Sequence, residues 1–280
     1  MSPRPPLRSW IESSLQRHPL AWFFALAFGI SWGGILVIVA ARGFDLSPLQ
    51  PVEGGLIFLK MLLGPSLSGL ICTALTDGRA GLRALWRSAL RWRVAPQWLA
   101  VALLTSPAIL LTILLPLAMV AGPAFRPGLQ WSLLAVGFVA GSFEEIGWTG
   151  FASPRLLKRH GLGQAGLTLG LVWAFWHLLV DVRFNAGAMG QLWPVEFAVV
   201  YLATLTPYRM LMTWVFSQTG SLLAAILMHA SFTGWLLVLF PATSEAQSLA
   251  WQAVFALILW ALVALLKPCT QSPQRGHWTW

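Results

Sequence analysis

Two adjacent glutamates, Glu144 and Glu145, interrupt an otherwise apolar stretch that runs from Trp131 to Phe151. A charged side chain at the centre of a membrane helix costs about 2.5–3.5 kcal/mol on insertion scales, and such groups usually face a bundle interior or a watery cavity. Neighbouring residues of a helix point about 100° apart, so one carboxylate can act on water while the other orients a neighbour. The structural alternative is that both reach an interface or form an ion pair.

Two histidines, His177 and His229, lie in two further apolar stretches. A glutamate and a histidine can hold and deprotonate a water molecule, first as general base and then as general acid. The second histidine and a hydroxyl one helical turn away can donate to a developing oxyanion, and Thr233 follows His229 by four residues. Alternatively, Glu144, His177 and His229 can ligate a divalent metal such as Zn²⁺ and leave a position open for water.

Other catalytic signatures are missing from the sequence. It contains no HExxH motif and no GxSxG motif, and neither Cys72 nor Cys269 is close in sequence to these two histidines. Because the common zinc-protease signature is absent, it gives no support to the zinc site. Schemes with a serine or cysteine nucleophile are poorly supported as well.

The composition is that of a membrane protein. Of 280 residues, 57% are hydrophobic and 10% are charged, and the mean hydropathy is +0.71. A soluble domain is about 45–50% apolar and about 25% charged, so a soluble enzyme and a disordered chain are both disfavoured. The 17 Trp and 16 Phe suit a protein with aromatic residues at both membrane interfaces.

The apolar runs predict an all-α, polytopic transmembrane bundle of about eight spans. A hydrocarbon core of about 30 Å needs roughly 20 apolar residues of helix. Strands are disfavoured because the runs are continuous and because open sheet edges are excluded from lipid. The predicted spans are approximately 20–41, 56–76, 98–121, 131–151, 164–182, 195–217, 221–240 and 249–266.

Basic residues predict the orientation of this bundle, because Lys and Arg collect in cytoplasmic loops. In the eight-span arrangement, fourteen of the 18 basic residues fall on one side, which places both termini in the cytoplasm. The pI near 11 then reflects topology and anionic headgroups, not a nucleic-acid partner. The fourteen are Arg4, Arg8, Arg17, Arg79, Arg83, Arg87, Arg91, Arg93, Arg155, Lys158, Arg159, Arg209, Lys267 and Arg275.

This arrangement divides the chain into a basic tail at 1–19, one membrane domain at 20–266 and a second tail at 267–280. The loop at 77–97 carries Arg79, Arg83, Arg87 and Arg91 in a strict four-residue spacing. Such a row predicts a basic amphipathic helix that lies on the inner membrane surface, against anionic headgroups.

At these residues the sequence resembles the CPBP family of intramembrane proteases, which is also called Abi and includes the CAAX-processing and bacteriocin-processing proteins. The resemblance covers roughly residues 60–240. The family pattern is Glu-Glu-x-x-x-Arg, Phe-x-x-x-His and His-x-x-x-Asn on separate helices. The corresponding residues here are Glu144, Glu145 and Thr149, then Trp173 and His177, then His229 and Thr233.

The resemblance implies a role for each site residue. Glu144 and His177 would activate the hydrolytic water, His229 would stabilise the oxyanion, and Glu145 would orient the site. Family substrates are peptide bonds near the C-terminus of prenylated proteins or in peptide leaders. The family is commonly labelled metalloprotease, and a metal-free glutamate mechanism fits as well. The expected location is the cytoplasmic membrane of a bacterium, with the site open to the cytoplasm.

One departure from the pattern leaves an alternative open. Thr149 stands where the family has Arg, and Arg155, ten residues after Glu145, is the candidate substitute. Without that charge, the chain is alternatively a non-catalytic relative with an immunity or scaffold role. A proton-coupled transporter is a third interpretation, because buried Glu and His also form proton relays. No pair of matching broken helices in two halves supports a transporter.

Overall fold

The computed structural model describes residues 13–45, 47 and 49–270, with the backbone alone at 185–190 and 267–270. The predicted tails, 1–19 and 267–280, lie largely outside the described residues. Within that range every long regular element is a helix and no strand occurs. The helices are α1 Pro19–Ala41, α2 Pro51–Thr76, α3 Gly78–Ala89, α4 Pro96–Val120, α5 Leu134–Gly147, α6 Ser153–Arg159, α7 Leu162–Trp176, α8 Leu178–Met189, α9 Trp193–Glu196, α10 Thr204–Thr219, α11 Leu222–Val238 and α12 Glu245–Thr270.

Five stretches among the described residues are long and apolar enough to cross a membrane: Pro19–Ala41, Pro51–Thr76, Pro96–Val120, Leu162–Phe184 and Glu245–Leu266. The all-helical prediction is thus confirmed. The other three predicted spans also form helices, but α11 is shorter and two π-helical segments, Trp148–Ala152 and Phe197–Ala203, interrupt the rest. The count of eight spans and the cytoplasmic termini stay predictions.

Glycines bring α5 into direct backbone contact with α11. A Cβ atom on Gly137 would lie 2.4 Å from the backbone nitrogen of Gly234, and one on Gly141 would lie 2.7 Å from the carbonyl oxygen of Ile226. Gly137 and Gly141 form a GxxxG pair, the spacing that lets membrane helices approach closely. The two glutamates follow one turn later, so this contact sets their distance from α11.

Two more glycine contacts complete the frame of the site. On the opposite side of α5, a Cβ on Gly147 would lie 2.2 Å from the carbonyl oxygen of Pro65 in α2. A second GxxxG pair, Gly166 and Gly170, packs α7 on α10, and a Cβ on Gly170 would lie 2.7 Å from the carbonyl oxygen of Thr206. Close packing of α2, α5 and α11, and of α7 and α10, therefore rests on residues without side chains.

We expect Gly137→Ala to lower the thermal midpoint of unfolding in detergent. The added methyl would meet backbone atoms that cannot turn away, and overpacking of this kind costs about 1–3 kcal/mol. The matched control is Gly29→Ala, since nothing lies within 4 Å of a Cβ built on that helical glycine. Equal midpoints for the two variants would contradict the assigned contact.

The loop at 77–97 forms the predicted helix over residues 78–89, which is α3. Its turn from α2 is made at Gly78, whose φ is +62°. On the protein side, Ser88 is buried and donates to the carbonyl oxygen of Gly220 at 2.8 Å. Arg79, Arg83 and Arg87 are exposed on the other side of the helix, and Trp86 beside them is 67% exposed. The helix thus presents a basic and aromatic face away from the bundle.

Candidate active site

Glu144 and Glu145 lie at the end of α5, just before the π-helical segment Trp148–Ala152, and both are buried. Single π-helical turns within α-helices occur frequently at functional sites. Although adjacent in sequence, the two carboxylates have different surroundings. Glu144 lines a cavity, whereas Glu145 lies behind it among hydrogen-bond donors.

The carboxylate of Glu145 accepts four hydrogen bonds. Arg209 donates to it in a bidentate pair, with Nη1 at 2.7 Å from Oε2 and Nη2 at 2.9 Å from Oε1. Thr149 donates to Oε2 at 2.5 Å, and Nδ1 of His229 lies 2.7 Å from Oε1. A carboxylate offers about four lone-pair positions, so these four donors saturate it. Glu145 is therefore the ion-paired member of the glutamate pair.

Arg209 lies where the sequence analysis did not place it. The charge count assigned it to a cytoplasmic loop, which is wrong: it sits inside α10 and is completely buried. Its guanidinium carbon also lies 4.0 Å from the centroid of the Trp173 ring. A cation in a membrane helix nearly always pairs inside the bundle, and here the partner is Glu145.

The expectation that Arg155 would substitute for the family arginine is wrong. Its guanidinium pairs with Asp77, donates to Thr76 at 3.0 Å and lies over the ring of Phe151. These contacts tie α6 to the end of α2 at the edge of the bundle. Arg209 and not Arg155 supplies the charge beside Glu145.

Glu144 is held by an indole. Trp173 of α7 donates its Nε1 proton to Oε2 of Glu144 at 2.9 Å. Trp173 itself is 1% exposed, with Arg209 on one face of its ring. The sequence analysis only placed Trp173 at the position of the family's Phe, and its role as a donor follows from the structure alone. The contact fixes one carboxylate oxygen of Glu144 at the edge of the cavity.

His177 follows α7 directly, and its ring is oriented by the backbone. Nδ1 lies 2.9 Å from the carbonyl oxygen of Trp173, which can only accept, so Nδ1 carries the proton. In the neutral ring, Nε2 is then the acceptor. Tyr201 packs against the ring at a centroid distance of 5.4 Å. The tautomer and the direction of His177 are both set by these neighbours.

His229 of α11 is oriented by Glu145 in the same way. An ionised carboxylate accepts and does not donate, so Nδ1 of His229 carries a proton toward Glu145. The ring of Trp173 makes edge contacts with both histidines, with centroids 5.6 Å from His177 and 5.2 Å from His229. One tryptophan therefore contacts both imidazoles and holds Glu144.

A cavity of about 340 Å³ opens beside these groups. The structure brings four of the predicted site residues to its wall, and Glu145 supports them from behind. The rest of the wall is largely apolar, with side chains from α2, α8, α11 and α12. The polar and charged residues that line the cavity are Glu144, His177, Tyr201, Thr204, His229, Thr233 and Gln252.

Residues 126–235, which include all of these motifs, match the family model described as "Rce1-like: Type II CAAX prenyl endopeptidase Rce1-like". The resemblance to the CPBP family is confirmed. The matched segment begins just before α5 and ends within α11, so it contains the glutamates, both histidines and Arg209. Together with five membrane-length apolar helices, the match makes this chain an integral membrane protein.

The chain also matches a curated relative whose name is of the same type. The CAAX prenyl protease 2 of Methanococcus maripaludis is 28% identical over 95 residues, which are 32% of this chain and 34% of that protein. The chain thus spans about a third of the length of the relative it matches.

The predicted metal ligands were Glu144, His177 and His229. Their donor chemistry suits Zn²⁺, since both imidazoles have Nδ1 engaged, which leaves Nε2 for a ligand. Among the residues that the structure describes, however, no group of three His, Cys, Asp or Glu side chains is placed to hold a metal ion. A metal at these residues stays a prediction.

Arg209, Tyr201 and Gln252 are among the contributors to the site that sequence reasoning missed. A signal for Arg209 was present, because it follows Pro207 within an apolar stretch of span length, and a lone cation there requires a buried partner. Tyr201 and Gln252 carried no such signal. Their places depend on how α12 and the π-helical segment Phe197–Ala203 pack around the cavity.

Proposed function

We propose that this chain is an intramembrane endopeptidase that hydrolyses a peptide bond with water activated by Glu144 and His177. The observation that carries the proposal is the shared cavity: Glu144, His177, His229 and Thr233, from three helical segments, line one space inside the bundle. The match to Rce1-like endopeptidases and to a CAAX prenyl protease supports the same activity.

The hydrogen bonds of the site determine how it would orient the attacking water. Glu144 accepts from Trp173 through Oε2, so its remaining acceptor capacity can serve a water proton. His177 donates through Nδ1 to the backbone and offers the lone pair of Nε2 to the second water proton. A water held by both acceptors directs its oxygen lone pair at a substrate carbonyl. Glu144 then takes the proton as the oxygen attacks.

Two further side chains of the cavity wall would stabilise the tetrahedral intermediate before it collapses. His229 keeps one proton on Nδ1 toward Glu145, and a second proton on Nε2 makes it a cationic donor to the oxyanion. Thr233 lies one turn later, and its hydroxyl is a further donor. When the C–N bond breaks, Glu144 returns its proton to the leaving nitrogen, so the products are a carboxylic acid and an amine.

The apolar wall supports a membrane-associated substrate. Phe58, Met61, Phe184, Leu236 and Phe255 line the cavity that contains the catalytic groups. Such a wall accommodates the apolar side chains of a membrane-bound peptide or an attached prenyl chain. The physiological substrate is accordingly proposed to be a prenylated or otherwise membrane-associated protein or peptide, cleaved on the cytoplasmic side of a bacterial inner membrane.

We expect His177→Ala to abolish cleavage in a profile of lipid-anchored and plain peptides, because the water loses one of its two acceptors. General acid–base groups contribute about 100- to 10,000-fold to rate. The matched control is His160→Ala, an exposed histidine after α6, which should cleave normally. Normal turnover by His177→Ala would refute the mechanism. A wild type that cleaves nothing would favour the non-catalytic alternative.

Metal analysis of the same preparation tests the metal-assisted version. Stoichiometric Zn²⁺ that is lost in Glu144→Gln would support the predicted ligands Glu144, His177 and His229. Full activity after chelation and dialysis would support hydrolysis without a metal ion.

The exposed face of α3 is proposed to contact anionic lipid headgroups. Replacement of Arg79, Arg83 and Arg87 by Gln should remove the gain in thermal stability that anionic nanodiscs give over zwitterionic ones. Each basic residue near an anionic surface contributes about 1 kcal/mol. An undiminished gain in the triple variant would mean that α3 does not lie on the headgroups.

A further inference from the structure

Arg209 occupies a central place among the contacts of the site. We propose that Arg209 is a positioning residue that takes over, from α10, the charge that the family pattern places at position 149, and that it aligns Glu144 and His229 at once. This inference rests on the proposed endopeptidase function and adds a residue that the motifs do not include.

Arg209 is linked to His229 through Glu145. Arg209 holds both oxygens of that carboxylate, at 2.7 and 2.9 Å. The bidentate pair fixes the plane of the carboxylate, which a single point charge cannot do. Oε1 then meets Nδ1 of His229 at 2.7 Å. The orientation of the proposed oxyanion donor therefore depends on Arg209 through one intermediate.

Arg209 is linked to Glu144 through Trp173. The guanidinium lies 4.0 Å from the centre of the indole ring, close enough for a cation–π contact in a buried setting. The same indole donates to Oε2 of Glu144 at 2.9 Å. Loss of the guanidinium would free the ring to tilt and would move the proposed general base. A 1 Å displacement of a catalytic group can cost about 100-fold in rate.

Thr149, at the position of the family arginine, contacts the same carboxylate as Arg209. It is 1% exposed, follows Glu145 by four residues and donates to Oε2, so it points at the carboxylate that Arg209 already neutralises. An arginine at 149 would reach the same carboxylate from within its own helix. Two guanidiniums beside one buried carboxylate would leave a positive charge without a partner. The two positions are thus alternative places for one charge.

The test is a charge-relocation cycle in the full chain: R209M, T149R and the double variant T149R/R209M. Methionine keeps much of the length of Arg209 without its charge. We expect each single variant to lose about 100-fold in kcat, with little change in KM, and the double variant to regain at least a tenth of wild-type kcat. R209K should fall between wild type and R209M because it offers one point charge in place of a fork. R159M, at an exposed arginine at the end of α6, is the control.

Several outcomes would overturn the proposal. Wild-type kcat in R209M would show that no alignment depends on Arg209. A double variant with restored thermal stability but the low kcat of R209M would show that an arginine at position 149 cannot replace Arg209 as the positioning charge. If R209M does not fold, R209K and the double variant decide the matter by the same criteria.

Failure of the proposed function can be told apart from failure of this inference. If the wild type cleaves no peptide, the ¹⁵N resonances of His229 in selectively labelled protein replace kcat as the readout. The proposal requires those resonances to shift in R209K and R209M and to return toward wild type in the double variant. Unchanged resonances throughout the cycle would overturn it.

Discussion

Glu144→Gln should lower kcat by about 100- to 10,000-fold and leave the fold intact, because the amide cannot take a proton from water. The glutamine carbonyl can still accept from the indole of Trp173, which holds Oε2 of Glu144 at 2.9 Å. The substitution is nearly isosteric, so the thermal midpoint should stay close to that of the wild type. The measurement is turnover of a peptide that the wild type cleaves, beside a thermal scan of the same sample.

The neighbouring residue provides the matched comparison. Glu145→Gln alters the same chemical group one position later, but there the carboxylate is ion-paired with Arg209 and does not line the cavity. We expect Glu145→Gln to lower the thermal midpoint markedly. A Glu144→Gln variant that turned over normally, or that unfolded as readily as Glu145→Gln, would contradict the division of roles between the two glutamates.

The buried ion pair should dominate the stability of the site. Arg209 and Glu145 are both 0% exposed, and removal of one member of such a pair costs about 3–5 kcal/mol because the other charge is left without compensation. Either Glu145→Gln or Arg209→Met should therefore destabilise strongly. The double variant Glu145→Gln/Arg209→Met should be far less destabilised than the sum, since it buries no unpaired charge.

Equilibrium unfolding in a mild detergent, run as a double-mutant cycle, measures this coupling. Thr149→Val is a useful companion, because it removes one neutral donor from Glu145 and keeps the ion pair. Its effect should be near that of an ordinary hydrogen bond, about 0.5–1.5 kcal/mol. Additive losses for the Arg209 and Glu145 variants would show that the two side chains do not interact in solution.

Much of this architecture was predictable from local sequence. Continuous apolar runs predicted the helices, because the bilayer leaves few ways to satisfy backbone hydrogen bonds. The regular spacing of Arg79, Arg83 and Arg87 predicted α3. Titratable residues in apolar stretches predicted the convergence of Glu144, His177 and His229, because such groups are less costly together than in contact with lipid.

Other parts of the site depend on tertiary packing and could not be derived from local patterns. The choice between Arg155 and Arg209 as the partner of Glu145 depends on which helix lies beside α5, and the GxxxG pairs that fix this were not recognised as contacts. The charge count misplaced Arg209 because it treated every basic residue as a topology signal. The two π-helical segments likewise leave no periodicity to detect in the sequence.

The ion pair between α5 and α10 also bears on how distant relatives are recognised. A sequence motif requires a fixed spacing between two residues. The membrane interior requires only that a buried charge has an opposite charge beside it, whichever helix supplies it. A cation on another segment can therefore neutralise the same anion. Homologues with an apparent gap in the signature are best screened for an unexplained arginine at the same depth in a different segment.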